Sequence, residues 1–321
     1  MMFRLAVVIV NYRTADLVCE CLRSLEPEIA DLPQSLVCVV DNDSQDESAE
    51  KLTRFVESQG YGGWVKVIKA PRNGGFSYGN NLGIRPLLAE KEIGAFLLLN
   101  PDTYLRRNAI KPLLAVLEQD QTIGIVGTRL EDPDGRPQHS AFRFPSVLGE
   151  LEWPMAIGPA SRLLKRWAVS RPPPDEQTTC DWVSGASMLI RREVIERIGL
   201  LDEDYFLYFE EVDYCLRAAR AGWTCCYEPR SRIVHLVGAS TGVSEPRRNP
   251  GPLPGYWFES RRRFFIKNHG ALYAAAADLS WMVGRTLGYT RRVVQRLPDR
   301  TPHRFLRDFV KQSVFVRGFK V

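Results

Sequence analysis

Four apolar runs in the first third of the chain predict buried strands. Longer mixed segments separate the runs, and within each run the β-branched and leucine residues mostly do not alternate with polar ones. Such runs are typical of strands that are covered on both faces in a largely parallel sheet. The runs cover residues 5–10, 36–40, 64–68 and 95–99.

The segments between the runs predict helices. Residues 14–25 and 44–57 fit, and in the second segment Ser44 followed by Glu47 is a capping-box pattern. The repetition of strand, loop and helix predicts an α/β fold, in which a doubly wound, mostly parallel sheet carries helices on both faces.

The pattern becomes less regular after Gly127. We expect structure to resume at Cys180, with a strand over 186–190 and a helix over 212–221. Residues 245–255 contain four prolines and two glycines, which favours a flexible loop before a helical C-terminal segment.

Charge is concentrated at the C-terminal end. Residues 261–321 carry 14 Lys or Arg against three Asp, a net charge of +11, although the whole chain of 321 residues has a net charge of only +5. A segment of this kind suggests contact with nucleic acid or with an anionic membrane. Around Phe305 and Phe309, apolar and basic residues alternate as in an amphipathic helix, which favours the membrane surface. The apolar residues of this predicted helix are Phe305, Leu306, Phe309 and Val310, and Arg304, Arg307 and Lys311 lie beside them.

Composition and cysteine usage narrow the class of protein. With 45% hydrophobic and 25% charged residues the chain is globular in composition. Its seven cysteines are an odd number without metal-finger spacing, which argues against a secreted disulfide framework and favours the cytoplasm. No apolar run reaches the roughly 20 residues that are needed to span a bilayer.

Polar residues follow the apolar runs directly, at the position where open parallel sheets bind their ligands. A glycine-rich stretch over 73–83 lies between them, and its spacing matches neither the dinucleotide fingerprint nor a P-loop. NAD-binding and ATP-hydrolysing functions are therefore disfavoured. The polar residues at the strand ends include Asn11, Arg13, Asp41, Asp43, Asn100 and Asp102.

The strand-end carboxylates each have a functional and a structural interpretation. Asp102 is placed to hold a divalent cation against a diphosphate, but Asn-Pro-Asp-Thr is also an ordinary turn sequence. Asp41 and Asp43 could bind a nucleotide, or could cap the next helix. His235 could complete the cation site of Asp102, or be structural.

An acidic cluster in the second half of the chain is a candidate for proton transfer. Glu210, Glu211 and Asp213 directly follow the mostly aromatic residues 205–209. Neighbouring like charges and desolvation raise carboxyl pKa values, so one of the three could act as a general base. Acidic residues also complement the N-terminal end of a helix, and the pattern alone leaves both interpretations open.

In this order the segments resemble the inverting family 2 glycosyltransferases with the GT-A fold, especially their bacterial L-rhamnosyltransferase-like branch. The resemblance spans about residues 4–270, and no single motif would suffice for it. Its marks are Val7-Val-Ile-Val-Asn-Tyr12, Val39-Val-Asp-Asn-Asp-Ser44, Asn73-Gly-Gly-Phe76 with Gly79-Asn-Asn81, Leu98-Leu-Asn-Pro-Asp102, Trp182-Val-Ser-Gly-Ala186, Phe209-Glu-Glu-Val-Asp213 and His235.

The resemblance implies roles for individual residues. Asn100 stands where the family's D-x-D motif has its first Asp, which leaves Asp102 and His235 to hold Mg²⁺ or Mn²⁺. Glu211 matches the family's base, with Glu210 and Asp213 as alternatives because the family often has Asp at this position. The implied nucleotide-sugar ligands are Asn11, Arg13, Asp41, Asp43, Asn73, Gly75, Asn80 and Asn100, and the implied acceptor wall is Trp182, Gly185, Tyr205 and Phe206.

The same resemblance implies an organisation and a reaction. A GT-A domain over 1–244 would hold the nucleotide sugar with residues 1–127 and the acceptor with residues 128–244, ahead of a loop over 245–260 and a basic helical extension over 261–321. The expected reaction is a single inverting displacement that moves a sugar such as L-rhamnose from an NDP-sugar to a saccharide or lipid-linked saccharide, in cell-surface polysaccharide synthesis.

The expected partners include an anionic membrane surface and exclude nucleic acid. The extension would hold a cytoplasmic enzyme at the inner face of the plasma membrane. The alternatives are a sugar-nucleotide pyrophosphorylase, whose glycine-rich N-terminal loop is absent, and a non-catalytic protein that binds membranes or nucleic acid.

Overall fold

Two compact units make up the described part of the chain. The computed structural model describes residues 4–32, 34–155, 157–236, 251–298, 301–302 and 304–321. Of these, residues 4–141, 172–206 and 210–236 belong to the first unit, and the others to the second. Segment 142–171, predicted as part of the acceptor half, is therefore grouped with the C-terminal helices. Residues 237–250, which include the start of the predicted Pro/Gly-rich loop, lie outside the described residues.

The strands and helices have the following bounds. The strands are β1 (Arg4–Asn11), β2 (Leu36–Asp41), β3 (Val65–Lys69), β4 (Ile93–Leu99), β5 (Thr103–Leu105), β6 (Ile123–Glu131), β7 (Ala141–Phe142), β8 (Thr178–Cys180), β9 (Trp182–Val183), β10 (Ser187–Arg191) and β11 (Thr224–His235). The helices are α1 (Ala15–Ala30), α2 (Ser48–Ser58), α3 (Gly75–Leu87), α4 (Ile110–Gln119), α5 (Val147–Met155), α6 (Gly158–Leu164), α7 (Arg192–Ile198), α8 (Glu210–Arg220), α9 (Gly255–His269), α10 (Ala271–Gln295), α11 (Phe305–Gln312) and α12 (Val314–Arg317).

A mixed sheet forms the centre of the first unit. Its strand order is β3-β2-β1-β4-β10-β6-β11-β5, and β8 pairs with β11 outside this path. Strands β1 to β4 pair in parallel, whereas β10 runs antiparallel between β4 and β6. The predicted α/β class is confirmed, as are the four strands of the first third. The antiparallel β10 was not predictable, because an unalternated apolar run indicates burial on both faces and carries no information on strand direction.

The two faces of β1 explain why its sequence does not alternate. Val7 and its neighbours on one face pack in a core with side chains of α1, α2 and α4. Val8 points to the other face, where α3 lies so close that a Cβ on Gly83 would be 2.6 Å from Val8 Cγ1. Both faces are therefore apolar, and the carboxyl end of β1 is held rigidly at the edge where the polar residues begin.

The second unit is mainly helical, and it is built on close helix packing around aromatic rings. Gly284 and Gly288 of α10 let α5 approach, since a Cβ on Gly288 would lie 2.2 Å from the Pro154 carbonyl oxygen. The ring centroids of Trp281 and Phe309 stack 3.8 Å apart. Together with Phe258 and Phe305 these rings form a buried aromatic cluster.

The structure corrects the predicted surface of the tail at two points. Phe305 and Phe309 lie one helical turn apart on α11 and are buried in the aromatic cluster, so only Leu306 and Val310 of the predicted apolar face are exposed. Arg261 is also buried, because its guanidinium is paired with Asp278 at 2.5 Å and Glu150 at 2.7 Å. Part of the predicted amphipathic surface is thus the core of this unit.

Helix α9 begins at Gly255, directly after Pro254, which has an extended backbone. The last residues of the segment predicted as a loop are therefore helical.

Within the described ranges, no helix is both long enough and apolar enough to cross a membrane.

Candidate active site

Three buried polar side chains join the ends of β1 and β2. Asn11 and Asp41 are register partners, and Asn11 Nδ2 donates to Asp41 Oδ1 at 2.7 Å. Ser44 Oγ donates to the same carboxylate oxygen at 2.5 Å. Ser44 therefore does not cap α2, whose N-cap residue is Glu47 with no side-chain cap bond, and the capping-box prediction is wrong. The network instead orients Asp41 at the carboxyl edge of the sheet.

Two residues beside this network adopt a left-handed backbone conformation. Arg13 has φ +58° and Asp43 has φ +55°. Arg13 is held there by Ser44, which accepts from the Arg13 backbone N–H at 3.0 Å and, through its carbonyl, from Arg13 Nε at 3.0 Å. Non-glycine residues in this region persist where surrounding contacts determine them, and such positions cluster at ligand sites.

The start of α3 requires glycine at position 75. Gly75 has φ +83°, and a Cβ there would lie 2.0 Å from the carbonyl oxygen of Phe206. The same carbonyl accepts from the Phe76 N–H at 2.7 Å. Asn73 Oδ1 accepts from the Gly75 N–H and from Asn42 Nδ2, both at 3.0 Å. This turn connects the β2 end to the segment that precedes the acidic cluster.

Gly185 brings three of the predicted motifs together. A Cβ on Gly185 would lie 3.5 Å from the ring of Phe76 and 3.6 Å from Glu211 Cβ. The next residue, Ala186, accepts from the Asn100 N–H at 2.9 Å. The glycine-rich stretch, the Asn-Pro-Asp segment and the acidic cluster, which are far apart in sequence, therefore meet around residues 185–186.

Asp102 and His235 face each other at the edge of the sheet. His235 Nε2 lies 3.5 Å from Asp102 Oδ1, and the antiparallel register pairs His235 with Thr103. Backbone contacts fix both residues, since Asp102 accepts through its carbonyl from Leu236 N–H at 2.9 Å and Gln138 Nε2 donates to the His235 carbonyl at 2.9 Å.

A carboxylate and an imidazole at this distance fit a divalent cation such as Mn²⁺ or Mg²⁺ with two protein ligands. Among the residues that the structure describes, no group of three or more His, Cys, Asp or Glu side chains forms a metal cage. Further ligands would have to come from a bound substrate or from water, which is the arrangement expected where a cation is shared with a diphosphate.

The three carboxylates of the acidic cluster lie in different environments. Asp213 is fully buried and paired with Arg217, with 2.9 Å between Arg217 Nε and Asp213 Oδ2, and the Tyr205 hydroxyl lies 3.4 Å from its other oxygen. Glu210 is buried and Glu211 half-buried, and in each the Oε2 atom is buried and forms no hydrogen bond with the described residues.

These environments raise the pKa values of both glutamates. Burial raises the pKa of Glu211 to about 7. Burial, and then the charge of Glu211, raise the pKa of Glu210 well above its usual value. A pKa of about 7 places Glu211 close to the optimum for a general base at neutral pH.

The other predicted residues are placed as follows. Trp182, on β9, and Phe206 are partly exposed, whereas Asn80 is buried and its Nδ2 donates to the Phe76 carbonyl at 2.9 Å. Tyr205 is completely buried. That burial does not fit its predicted contact with an acceptor sugar, because no face of the ring is open to a ligand; Tyr205 instead supports Asp213.

Several residues of the site carry no sequence signal for their role. Gln138 donates to the His235 carbonyl, and Arg217 donates to the Asp213 carboxylate. His235 and Asp213 belong to motifs that the sequence shows, whereas Gln138 and Arg217 do not. Asn42 lies between two predicted aspartates; its Nδ2 donates to the Gly75 carbonyl at 3.0 Å, and its buried Oδ1 accepts no hydrogen bond from the described residues. The Asp-Asn-Asp-Ser motif marks the position of Asn42 but does not say which of its side chains face a ligand.

Comparison with known proteins identifies relatives of the chain. The family model described as "Glycosyltransferase like family 2" matches residues 4–250. The N-acetylglucosaminyl-diphospho-decaprenol L-rhamnosyltransferase of Mycobacterium tuberculosis is 28% identical over 202 residues, which are 62% of this chain and 63% of the relative. The chain thus spans somewhat less than two thirds of that relative's length. The dTDP-rhamnosyl transferase of Shigella flexneri is 24% identical over 266 residues, which are 80% of each chain.

A solved structure supports the fold. The crystal structure of GalNAc-T7 with UDP, GalNAc and Mn²⁺ aligns with a TM-score of 0.56 and 18% identity, over 92% of this chain and 59% of that one. At this identity the likeness concerns the fold, a central mixed sheet with helices on both sides.

Proposed function

The chain belongs to the glycosyltransferase-like family 2, and on that premise we propose that it is an inverting glycosyltransferase. We propose L-rhamnose as the transferred sugar and a nucleoside diphosphate as its carrier. The printed activities of the relatives from Mycobacterium tuberculosis and Shigella flexneri support this choice. The acceptor would be a saccharide, free or lipid-linked, in the synthesis of a cell-surface polysaccharide.

The observation that carries this proposal is the position of Glu211. It is a half-buried carboxylate with a pKa of about 7 that lies beside Gly185, where the motifs of the first and second halves of the chain meet. In the proposed reaction Glu211 takes the proton of an acceptor hydroxyl, and the oxygen attacks the anomeric carbon. The bond from that carbon to the diphosphate oxygen breaks, and the nucleoside diphosphate leaves with the electron pair. A single displacement inverts the anomeric configuration.

The proposed nucleotide site lies at the carboxyl ends of β1 and β2. Asp41 is oriented by Asn11 and Ser44, and a carboxylate in that position can accept from ribose hydroxyls or from a base N–H. Asn42 Oδ1, buried and without a donor among the described residues, offers a second acceptor for a base. Arg13 and Asp43, whose left-handed backbones lie beside this network, are proposed to contact the same nucleotide.

Asp102 and His235 are the proposed ligands of a divalent cation, Mg²⁺ or Mn²⁺. When bound, the cation would neutralise charge on the diphosphate leaving group. Asn100, the neighbour of this pair, is neutral and is anchored through its N–H to Ala186, so its part in donor binding is proposed to be a hydrogen bond rather than a metal bond.

The acceptor side is proposed to include Trp182, Gly185 and Phe206. Gly185 has no side chain beside Glu211, which leaves room for a hydroxyl at the carboxylate. Trp182 and Phe206 keep part of their rings exposed, as required for stacking against a sugar.

A membrane surface is the proposed location of the acceptor. Helix α10 exposes a row of apolar side chains at helical spacing, among them Leu272, Leu279, Val283 and Leu287, and basic residues follow at its C-terminal end. Such a helix can lie on an anionic bilayer with its apolar side inward. Val283→Glu should weaken sedimentation with vesicles that contain phosphatidylglycerol, whereas Thr286→Gln should not.

The experiment that tests the function is a donor screen with a structural readout. The purified protein is heated with and without each of dTDP-L-rhamnose, UDP-GlcNAc and GDP-mannose, in the presence of Mn²⁺. A donor that binds the native state raises the melting temperature with concentration. The proposal predicts the largest rise for dTDP-L-rhamnose and a transfer product of inverted configuration by NMR; a larger rise with another donor would change the sugar, and retained configuration would overturn the mechanism.

A further inference from the structure

A cavity in the second unit combines aromatic walls with arginine side chains. It has a volume of about 640 Å³, which lies within the range of pockets that hold small molecules. Its lining residues are Trp153, Pro154, Met155, Leu253, Trp257, Trp281, Arg285, Gly288, Arg291, Arg292, Leu297, Pro298, Thr301, Pro302 and Phe305.

The apolar walls of this cavity are closely packed. Trp281 and Phe305 belong to the buried aromatic cluster, with ring centroids 5.2 Å apart. The close approach at Gly288 fixes Pro154 against α10. Trp153, by contrast, is 56% exposed although it lines the cavity, with its ring 6.2 Å from that of Phe305. A closely packed aromatic cavity with an exposed tryptophan presents apolar surface that a ligand could cover.

The charged side chains among the described lining residues are all positive. Arg285, Arg291 and Arg292 all come from α10, and the described lining residues include no aspartate or glutamate. Guanidinium groups bind phosphate oxygens with paired hydrogen bonds. The cavity is therefore suited to a ligand with a phosphate at one end.

The rest of the lining indicates what the body of that ligand is. Apart from the arginines and the indole N–H groups, Thr301 is the only described lining residue with a polar side chain. A sugar or a nucleobase would leave most of its hydrogen-bonding groups unsatisfied against such walls, which is costly. A branched hydrocarbon chain would not, and it would bury its surface against rings and prolines.

We propose that this cavity binds the phosphate end of an isoprenoid lipid, with the α10 arginines on the phosphate and the first isoprene units against Trp153, Trp257 and Leu297. The assignment rests on the proposed function, because such a lipid is the carrier that a lipid-linked saccharide acceptor would have. It gives the second unit a role in holding the acceptor by its lipid.

Calorimetric titration of the full chain with farnesyl phosphate, below the concentration at which it aggregates, tests the assignment. Farnesyl phosphate should bind, farnesol should bind at least about 10-fold more weakly, and inorganic phosphate should show no binding. The double variant Arg291→Gln with Arg292→Gln should lose about 10-fold or more in affinity, because it removes hydrogen bonds to a charged group. Arg296→Gln, which removes a charge from the exposed end of the same helix without lining the cavity, should stay within about 2-fold.

Trp153→Ala removes part of the apolar wall at an exposed position, so it should fold normally and weaken farnesyl phosphate binding. Equal affinities for all variants, or absent binding to the wild type, would overturn the proposal. Equal binding of dodecyl phosphate would overturn the isoprenoid assignment. The titration needs no donor and no transfer, so its results are independent of the proposed function. That function would instead fail if sugar were transferred neither to a soluble nor to a lipid-linked saccharide.

Discussion

Arg217 pairs with Asp213 across one turn of α8, with 2.9 Å between Arg217 Nε and Asp213 Oδ2. The pair gives one of the three carboxylates of the acidic cluster a structural role, because both oxygens of Asp213 already accept hydrogen bonds, from Arg217 and from the Tyr205 hydroxyl. Arg217 also donates to the carbonyls of Ile198 and Leu200, at 2.8 and 2.9 Å. The position of α8, and with it of Glu211, therefore depends on a structural ion pair.

Asp213→Asn should destabilise the protein rather than abolish its chemistry. The variant leaves a charged guanidinium next to a neutral amide in a buried site, which costs about 1–3 kcal/mol. Urea unfolding measures the loss, and Glu193→Gln, on the exposed first turn of α7, is the matched control. Loss of transfer without loss of stability in Asp213→Asn would assign the proton chemistry to Asp213.

Transfer should depend on pH through the ionisation of Glu211. A base must be ionised to accept a proton, so with a pKa of about 7 the value of kcat/KM should rise from pH 6 to 8 and then level off. An ordinary glutamate would give a flat profile over this range. A profile that falls as pH rises would require a protonated group and contradict the assignment.

The same shift has a consequence for stability. The folded state holds the Glu211 proton more tightly than the unfolded chain, whose glutamate titrates near 4.5. Stabilisation by the protonated form is present below pH 4.5 and is lost as pH rises through about 7. Glu211→Gln has no carboxyl to titrate, so its free energy of unfolding should lack this part of the decline. If the difference in the free energy of unfolding between variant and wild type stays constant from pH 5 to 8, the pKa of Glu211 is not raised.

Metal binding should require both Asp102 and His235. Asp102→Asn and His235→Ala should each weaken Mn²⁺ binding in the presence of a nucleoside diphosphate by at least about 10-fold, as expected for loss of one of only two protein ligands. Electron paramagnetic resonance of free Mn²⁺ measures this directly. Asp134→Asn, in an exposed turn, is the control. Transfer that persists at full rate after chelation by EDTA would contradict the proposed cation.

Gly75→Ala should destabilise the start of α3. An alanine at this position would have to adopt φ +83°, which residues with a side chain rarely do. Its Cβ would also lie 2.0 Å from the Phe206 carbonyl oxygen, so one of the two atoms would have to move. Left-handed strain alone costs about 1–3 kcal/mol, and displacement of Phe206 would add to it. Gly63→Ala is the control, because a Cβ there meets nothing within 4 Å and the backbone is not strained. Equal melting temperatures of the two variants would show that the turn relaxes without cost.

The sequence predicted the first four strands from their apolar runs. The runs of β1, β2 and β4 are almost entirely buried, whereas β3 lies at the end of the strand order and exposes Lys66 and Lys69. The sequence did not predict that Phe305 and Phe309 are core residues. Aromatic residues one turn apart beside arginines look the same whether their apolar side meets a bilayer or Trp281, and only the tertiary contact distinguishes them.

The candidate site shows a similar division. Asp41, Asp102 and Glu211 could be found from strand ends, motif order and charge clustering. The use of Ser44 could not, since the same serine fits a capping box, in which its oxygen would accept from a backbone N–H, and a hydrogen bond that its hydroxyl donates to Asp41. Only the structure shows that α2 begins at Ser48 and that Ser44 lies beside Asp41. The family resemblance implied that Tyr205 contacts a sugar, but in the structure its ring is completely buried and its hydroxyl donates to Asp213, eight residues further along.

The central claim is that Glu211 is the base of an inverting transfer, and single-turnover transfer by Glu211→Gln tests it most directly. With donor and acceptor at saturating concentrations, the rate should fall by about 10² to 10⁴-fold, the contribution of a general base, while the dissociation constant of the donor stays within about 2-fold of the wild type. Glu210→Gln removes the neighbouring carboxyl, leaves Glu211 in place and should retain most of the rate. A Glu211→Gln variant that transfers at the wild-type rate would contradict the account.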